Sequence, residues 1–140
     1  MYQTNRSALT SEDLPSPKAH DITALIIDDE SDTRLLIGII LKQKNIQSRF
    51  AGSLKEAEKL LEGPGTPSII FLDNHLPDGL GITYIKRLKS VYPDARLVMM
   101  TAHDNESDRK QALLAGVDYF SGKPLTTAFI YSMIKFLPGQ

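Results

Sequence analysis

Asp28 and Asp29 stand at the end of one apolar run, Asp73 at the end of a second, and Lys123-Pro124 just past a third. The runs cover 24–27, 69–72 and 117–120, and each has the length and composition of a buried strand. In a parallel sheet flanked by helices such strand ends share one edge. Three carboxylates and one ammonium would then meet in one crevice. Carboxylates forced together repel and raise each other's pKa unless a cation lies among them. A hard, oxygen-ligated ion, Mg2+ or Mn2+, resolves that repulsion. The chemistry such a set supports is phosphoryl transfer with one carboxylate as nucleophile.

Each residue also has a plainer role. An acid at a helix start often only caps the helix, but one Asp would serve that purpose, and here Asp28, Asp29 and Glu30 are consecutive. An Asp opening a loop is often a turn former. For Asp73 the other strand-end acids favour the nucleophile, whereas Asp78-Gly79 reads as a turn. Thr101 ends the run 97–100, and beside a phosphoryl oxygen its hydroxyl would donate a hydrogen bond. Ala102 is small and leaves the approach open. Lys123, at a strand end opposite the acids, pairs with a carboxylate and then with phosphate. Its bond to Pro124 is a candidate for the cis isomer.

These residues need a scaffold. Strands are expected at 22–27, 46–51, 68–72, 95–100 and 117–121, and helices at 31–44, 53–62, 80–91, 105–115 and 126–137. Five βα units predict an α/β fold with a doubly wound, five-stranded parallel sheet and helices on both faces. Ser53 and Glu56 form a capping box, Gly63-Pro64-Gly65 ends the second helix, and Gly116 ends the fourth. Ile69-Ile70-Phe71-Leu72 is apolar throughout, as a central strand should be; the more polar Gln47-Ser48-Arg49-Phe50 belongs at an edge. In the first helix Leu36, Ile37, Ile40 and Leu41 follow core spacing, and Leu35 and Ile39 fall on another face. In the last, Ile130, Met133, Ile134 and Leu137 form a stripe toward the sheet, with Phe129, Tyr131 and Phe136 partly outside it.

Composition narrows the class. The chain has 140 residues, 41% of them hydrophobic, no cysteine and a formal net charge of −1. A disulfide framework and a thiolate metal site are excluded, and the charge gives no electrostatic case for nucleic acid or an anionic membrane. No run approaches the ~20 apolar residues of a membrane span. The first twenty residues, MYQTNRSALTSEDLPSPKAH, lack the features of a secretory signal, so a cytoplasmic location is expected. Residues 1–20 read as a flexible tail, with packing through Leu9 and Leu14 the alternative, and 21–140 as one domain.

Taken together, LIIDDE, FLDNHLPDGLG, VMMTAH and ALLAGVDYFSGKP, in that order, resemble the receiver domain of two-component response regulators over about 22–137. The resemblance implies the flavodoxin-like strand order 2-1-3-4-5. It implies that Asp73 takes a phosphoryl group from a phosphohistidine of a histidine kinase or phosphotransfer protein. Asp28, Asp29, Asp73 and the backbone carbonyl of His75 would hold Mg2+, and Thr101 and Lys123 would contact the phosphoryl oxygens. Thr101 and Phe120 would be the switch residues, shifting a surface around the fourth helix, fifth strand and fifth helix that controls a protein effector, relays phosphate or forms a homodimer. The expected role is signalling rather than metabolic catalysis, with slow self-phosphorylation from small donors. His75 and His103 occupy positions that tune the phosphoryl lifetime in this family. Leu35 and Ile39, with Pro124, are the expected docking residues for the kinase or phosphotransfer bundle. The initial Met suggests a native start and a single-domain regulator; the alternative is a receiver from a hybrid kinase or longer regulator. An aspartyl-phosphate phosphohydrolase ranks lower, because His75 stands where such enzymes carry a second acid. A flavin module ranks lower still, because acids at that loop would repel its phosphate.

Overall fold

The apolar runs fold as five parallel strands, β1 (Thr23–Ile27), β2 (Gln47–Ala51), β3 (Ile69–Asp73), β4 (Arg96–Thr101) and β5 (Tyr119–Gly122). They lie side by side in the order β2-β1-β3-β4-β5, the flavodoxin-like arrangement. The structure, a computed structural model, describes residues 22–137; the tail expected at 1–20 lies outside the described residues. Between the strands run α1 (Ser31–Lys42), α2 (Leu54–Leu61), α3 (Ile85–Val91) and α4 (Glu106–Ala115), and α5 (Thr127–Met133) follows β5.

Side chains alternate across the sheet and so divide the core in two. Ala24, Ile26, Ile69, Phe71, Val98 and Met100 meet Ile37, Ile40 and Leu41 of α1 and Ile130 and Met133 of α5. Leu25, Ile27, Ile70, Leu72, Leu97 and Met99 face the other way, against Ala57 and Leu61 of α2, Ile85 and Leu88 of α3 and Ala112 of α4. All five residues of β3 are buried, as expected for the central strand, and β2 lies at the edge. Helices therefore cover both faces, and the strand ends meet at one rim.

Local chemistry sets where the helices start and stop. Ser53 Oγ accepts from Glu56 N–H at 3.1 Å, but Glu56 Oε1 accepts from Gly52 N–H at 2.7 Å, so the reciprocal arm of the capping box lands one residue early. Asp78 does more than turn the chain: its two carboxylate oxygens accept from Leu54 and Lys55 N–H, each at 2.9 Å, and cap α2 across space. Gly116 ends α4 with φ 120°, a conformation that suits glycine.

Two element boundaries and one burial differ most from expectation. The helix predicted from residue 80 begins as a 3-10 turn over Gly81–Tyr84, because His75–Leu76 first pairs with Gly79–Leu80 in a short antiparallel ribbon. The last helix ends at Met133, yet Ile134 and Leu137 of its expected stripe are still buried, in the turns that follow. Leu36 is 48% exposed, not part of the core. It lies about 100° around the helix from Ile37, which with Leu41 marks the buried face.

Candidate functional site

The strand ends deliver the expected side chains to one place. β1 runs straight into Asp28, whose N–H donates to Ala51 O at 2.9 Å, and Asp73 closes β3 opposite Met100. Thr101 closes β4 opposite Gly122, and Lys123 N–H donates to Thr101 O at 2.7 Å. The Lys123-Pro124 bond is cis. Asp28, Asp73 and Thr101 are buried, whereas Asp29 and Glu30, already in the turn to α1, are exposed.

Lys123 Nζ lies 2.7 Å from Asp28 Oδ2, 3.0 Å from Glu30 Oε1 and 3.3 Å from Asp73 Oδ2. Burial opposes its charge, but the ion pairs with Asp28 and Glu30 outweigh that penalty and the ammonium is held more firmly protonated than a free lysine. Burial, with repulsion from Asp28 behind it, pushes the Asp73 carboxyl above its ordinary range, and Lys123 offsets only part of this. The hydrogen bond and charge of Lys123 hold Glu30 below its ordinary range.

Asp28, Asp29 and Asp73 each present a carboxylate oxygen, all within 4.8 Å of one another. Asp28 Oδ2 is sealed from solvent and accepts no hydrogen bond; the Lys123 ammonium touches it off the hydrogen-bond direction. An all-oxygen set with an unsatisfied buried oxygen fits a hard divalent cation such as Mg2+.

The loops around this set hold it in shape. Gly81 N–H donates to Asn74 O at 2.8 Å, and a Cβ at Gly81 would overlap the Asp73 carbonyl oxygen. Asn74 is itself buried and accepts from Ile82 N–H at 3.0 Å. His75 N–H donates to Asp73 Oδ1 at 3.3 Å and His103 N–H to Thr101 Oγ1 at 3.1 Å. Their exposed rings meet edge-on, with centroids 5.3 Å apart. Phe120 is buried, and the Arg109 guanidinium carbon lies 5.0 Å from its ring centroid. Arg109 also donates to Phe120 O at 3.2 Å and to both oxygens of Asp104 at 3.0 Å.

Sequence reasoning missed three of these supports. Glu30 was counted as an acid but not as a partner of Lys123. Arg34, which donates to Asp28 O at 2.7 Å, carried no signal beyond lying one turn into α1. Nothing in the spacing marked Arg109. The docking candidates are all exposed, but Leu35 and Ile39 line a groove with Gly38, Ile46 and Phe50 beside β2 whose lining includes none of the crevice acids. Pro124 alone among them adjoins Lys123.

The fold and crevice have counterparts. The chain is 35% identical over 113 residues to the phosphate regulon transcriptional regulatory protein PhoB of Escherichia coli, a match covering 79% of this chain and 49% of PhoB. It thus spans about half the length of that relative. It is 31% identical over 118 residues to the two-component response regulator ARR22 of Arabidopsis thaliana, covering 83% of each. A response regulator from Burkholderia pseudomallei, crystallised with a phosphorylated aspartic acid, a calcium ion and citrate, superposes with a TM-score of 0.77 at 28% identity over 83% of this chain and 68% of that one. The family model for the response regulator receiver domain matches residues 24–135, from β1 to just past α5, so the chain belongs to the receiver-domain family of two-component response regulators.

Proposed function

We propose that Asp73 is the phosphoacceptor of a phosphorylation-controlled signalling switch, charged by a phosphohistidine of a histidine kinase or phosphotransfer protein. The observation that carries this reading is the meeting of Asp28, Asp29 and Asp73 oxygens within 4.8 Å, with Lys123 Nζ 3.3 Å from Asp73. A carboxylate oxygen of Asp73 attacks phosphorus. The bond from phosphorus to the donor imidazole nitrogen breaks, its electron pair stays on the imidazole, and that ring takes a proton from water. The product is an acyl phosphate on Asp73.

Asp28, Asp29, Asp73 and the backbone carbonyl of His75 would hold Mg2+, which when bound would supply positive charge against the crowded carboxylates and the phosphoryl oxygens. Lys123 contributes a second fixed charge to the phosphoryl group, and the Thr101 hydroxyl donates a hydrogen bond to it. Movement of Thr101 toward that group frees space beside Phe120, and the surface formed by α4, β5 and α5 shifts between two states. Its reader is a protein effector or a second copy of the chain. Pro124, beside Lys123, lies on the path by which the donor histidine reaches Asp73, and Leu35 and Ile39 extend that contact along α1.

Intact-mass measurement after treatment with acetyl phosphate tests the acceptor role. The expected result is a gain of one phosphoryl group that requires Mg2+ and is absent in Asp73→Asn. A gain that persists in Asp73→Asn, or none in folded wild type with Mg2+ bound, contradicts it.

A further inference from the structure

His75 follows β3 by two residues and His103 follows β4 by two residues, on strands that pair directly. Their N–H bonds to Asp73 and Thr101, at 3.3 and 3.1 Å, fix the backbone at both positions. The imidazoles themselves make no hydrogen bond to any described residue; they meet each other, exposed, with centroids 5.3 Å apart and planes at 79°. That spacing is informative. Two imidazole nitrogens at about 2.0–2.1 Å from one tetrahedral ion place their ring centroids about 5 Å apart.

We propose that His75 and His103 form a two-histidine seat for a borderline divalent transition ion, of which Zn2+ is the type, at the mouth of the acidic crevice. Neutral imidazole suits such ions, whereas the carboxylates of Asp28, Asp29 and Asp73 suit Mg2+, so ligand softness sorts two cations between two adjacent sites. With two protein ligands the ion keeps two open positions, filled by water or by an oxygen of an anion held at Asp73. Occupancy would tie the loop after β3 to the loop after β4. The chain has no cysteine to compete for the ion.

Calorimetric titration of the full chain with ZnCl2, in saturating MgCl2 and without any phosphoryl donor, tests the seat independently of the phosphoacceptor reading. The expected result is one equivalent bound despite Mg2+. His75→Ala and His103→Ala should each weaken binding by about tenfold or more. His20→Asn, the remaining histidine, should leave it unchanged. In the wild type, imidazole nitrogen resonances of both His75 and His103 should shift at the same equivalence point. Zinc that Mg2+ displaces, or that binds both alanine variants as well as wild type, overturns the proposal by placing the ion among the carboxylates. Binding lost only in His20→Asn overturns it, as does no heat with unmoved imidazoles, which leaves an edge-on ring pair and nothing more.

Discussion

Lys123 is the counter-ion of an overcrowded site, and the overcrowding is measurable. It serves three carboxylates at 2.7 to 3.3 Å, so Asp73 shares that ammonium with Asp28 and Glu30. Burial and Asp28 raise the Asp73 carboxyl above its ordinary 3.8, so folding opposes its ionisation. That penalty is fully present above the raised folded-state pKa, where Asp73 is charged in both states. It disappears as pH falls below the ordinary value and the group is protonated folded or not. Asp73→Asn should therefore unfold at higher denaturant concentration than wild type at pH 7 without Mg2+, and the gap should close toward pH 4. An equal gap at both pH values contradicts this assignment. At this scale the meeting of Asp28, Asp29, Asp73 and Lys123, with Thr101 at the neighbouring strand end, was legible because strand ends in a parallel sheet share an edge. Glu30, Arg34 and Arg109 were not legible in their roles, because their contacts depend on where long, flexible side chains come to rest.

Elements position these residues through backbone contacts that leave little room. The segment after β3 folds back so closely that Gly81 lies against the Asp73 carbonyl oxygen, with its N–H bonded to Asn74 O at 2.8 Å. Any side chain there must displace the Asp73 backbone. Gly81→Ala should destabilise the fold by about 1–3 kcal/mol and should reduce phosphoryl uptake even under conditions where the variant is folded. Chemical denaturation and intact mass read the two effects separately. A variant as stable as wild type contradicts the close approach. Strands and helix order were readable from apolar periodicity. The 3-10 start before α3 was not, because it depends on the ribbon formed by His75–Leu76 and Gly79–Leu80, a pairing with no periodic signal. Leu36 misled because an apolar residue beside a buried stripe has the same spacing whether or not a neighbour covers it.

At the scale of the molecule, two cores on opposite faces of one sheet leave its carboxyl edge free for chemistry, the place where open α/β sheets bind ligands. The same sheet links that edge to the outside: β4 carries Thr101 and pairs with β5, which carries Phe120, and Arg109 of α4 rests on that ring. A change at Asp73 thus has a short physical route to the surface made by α4, β5 and α5. The fold class was legible throughout 22–137 because short strands, mostly apolar and all punctuated, alternate with helical patterns; partners were not, because an exposed patch names no occupant. The proposed function requires that Asp73 form an acyl phosphate. Borohydride reduction after acetyl phosphate treatment, followed by peptide mass analysis, tests it most directly, since reduction converts a phosphorylated aspartate to homoserine. Homoserine is expected at position 73, and only with Mg2+ present. Homoserine at another acid, or none in folded, Mg2+-bound protein, would contradict it.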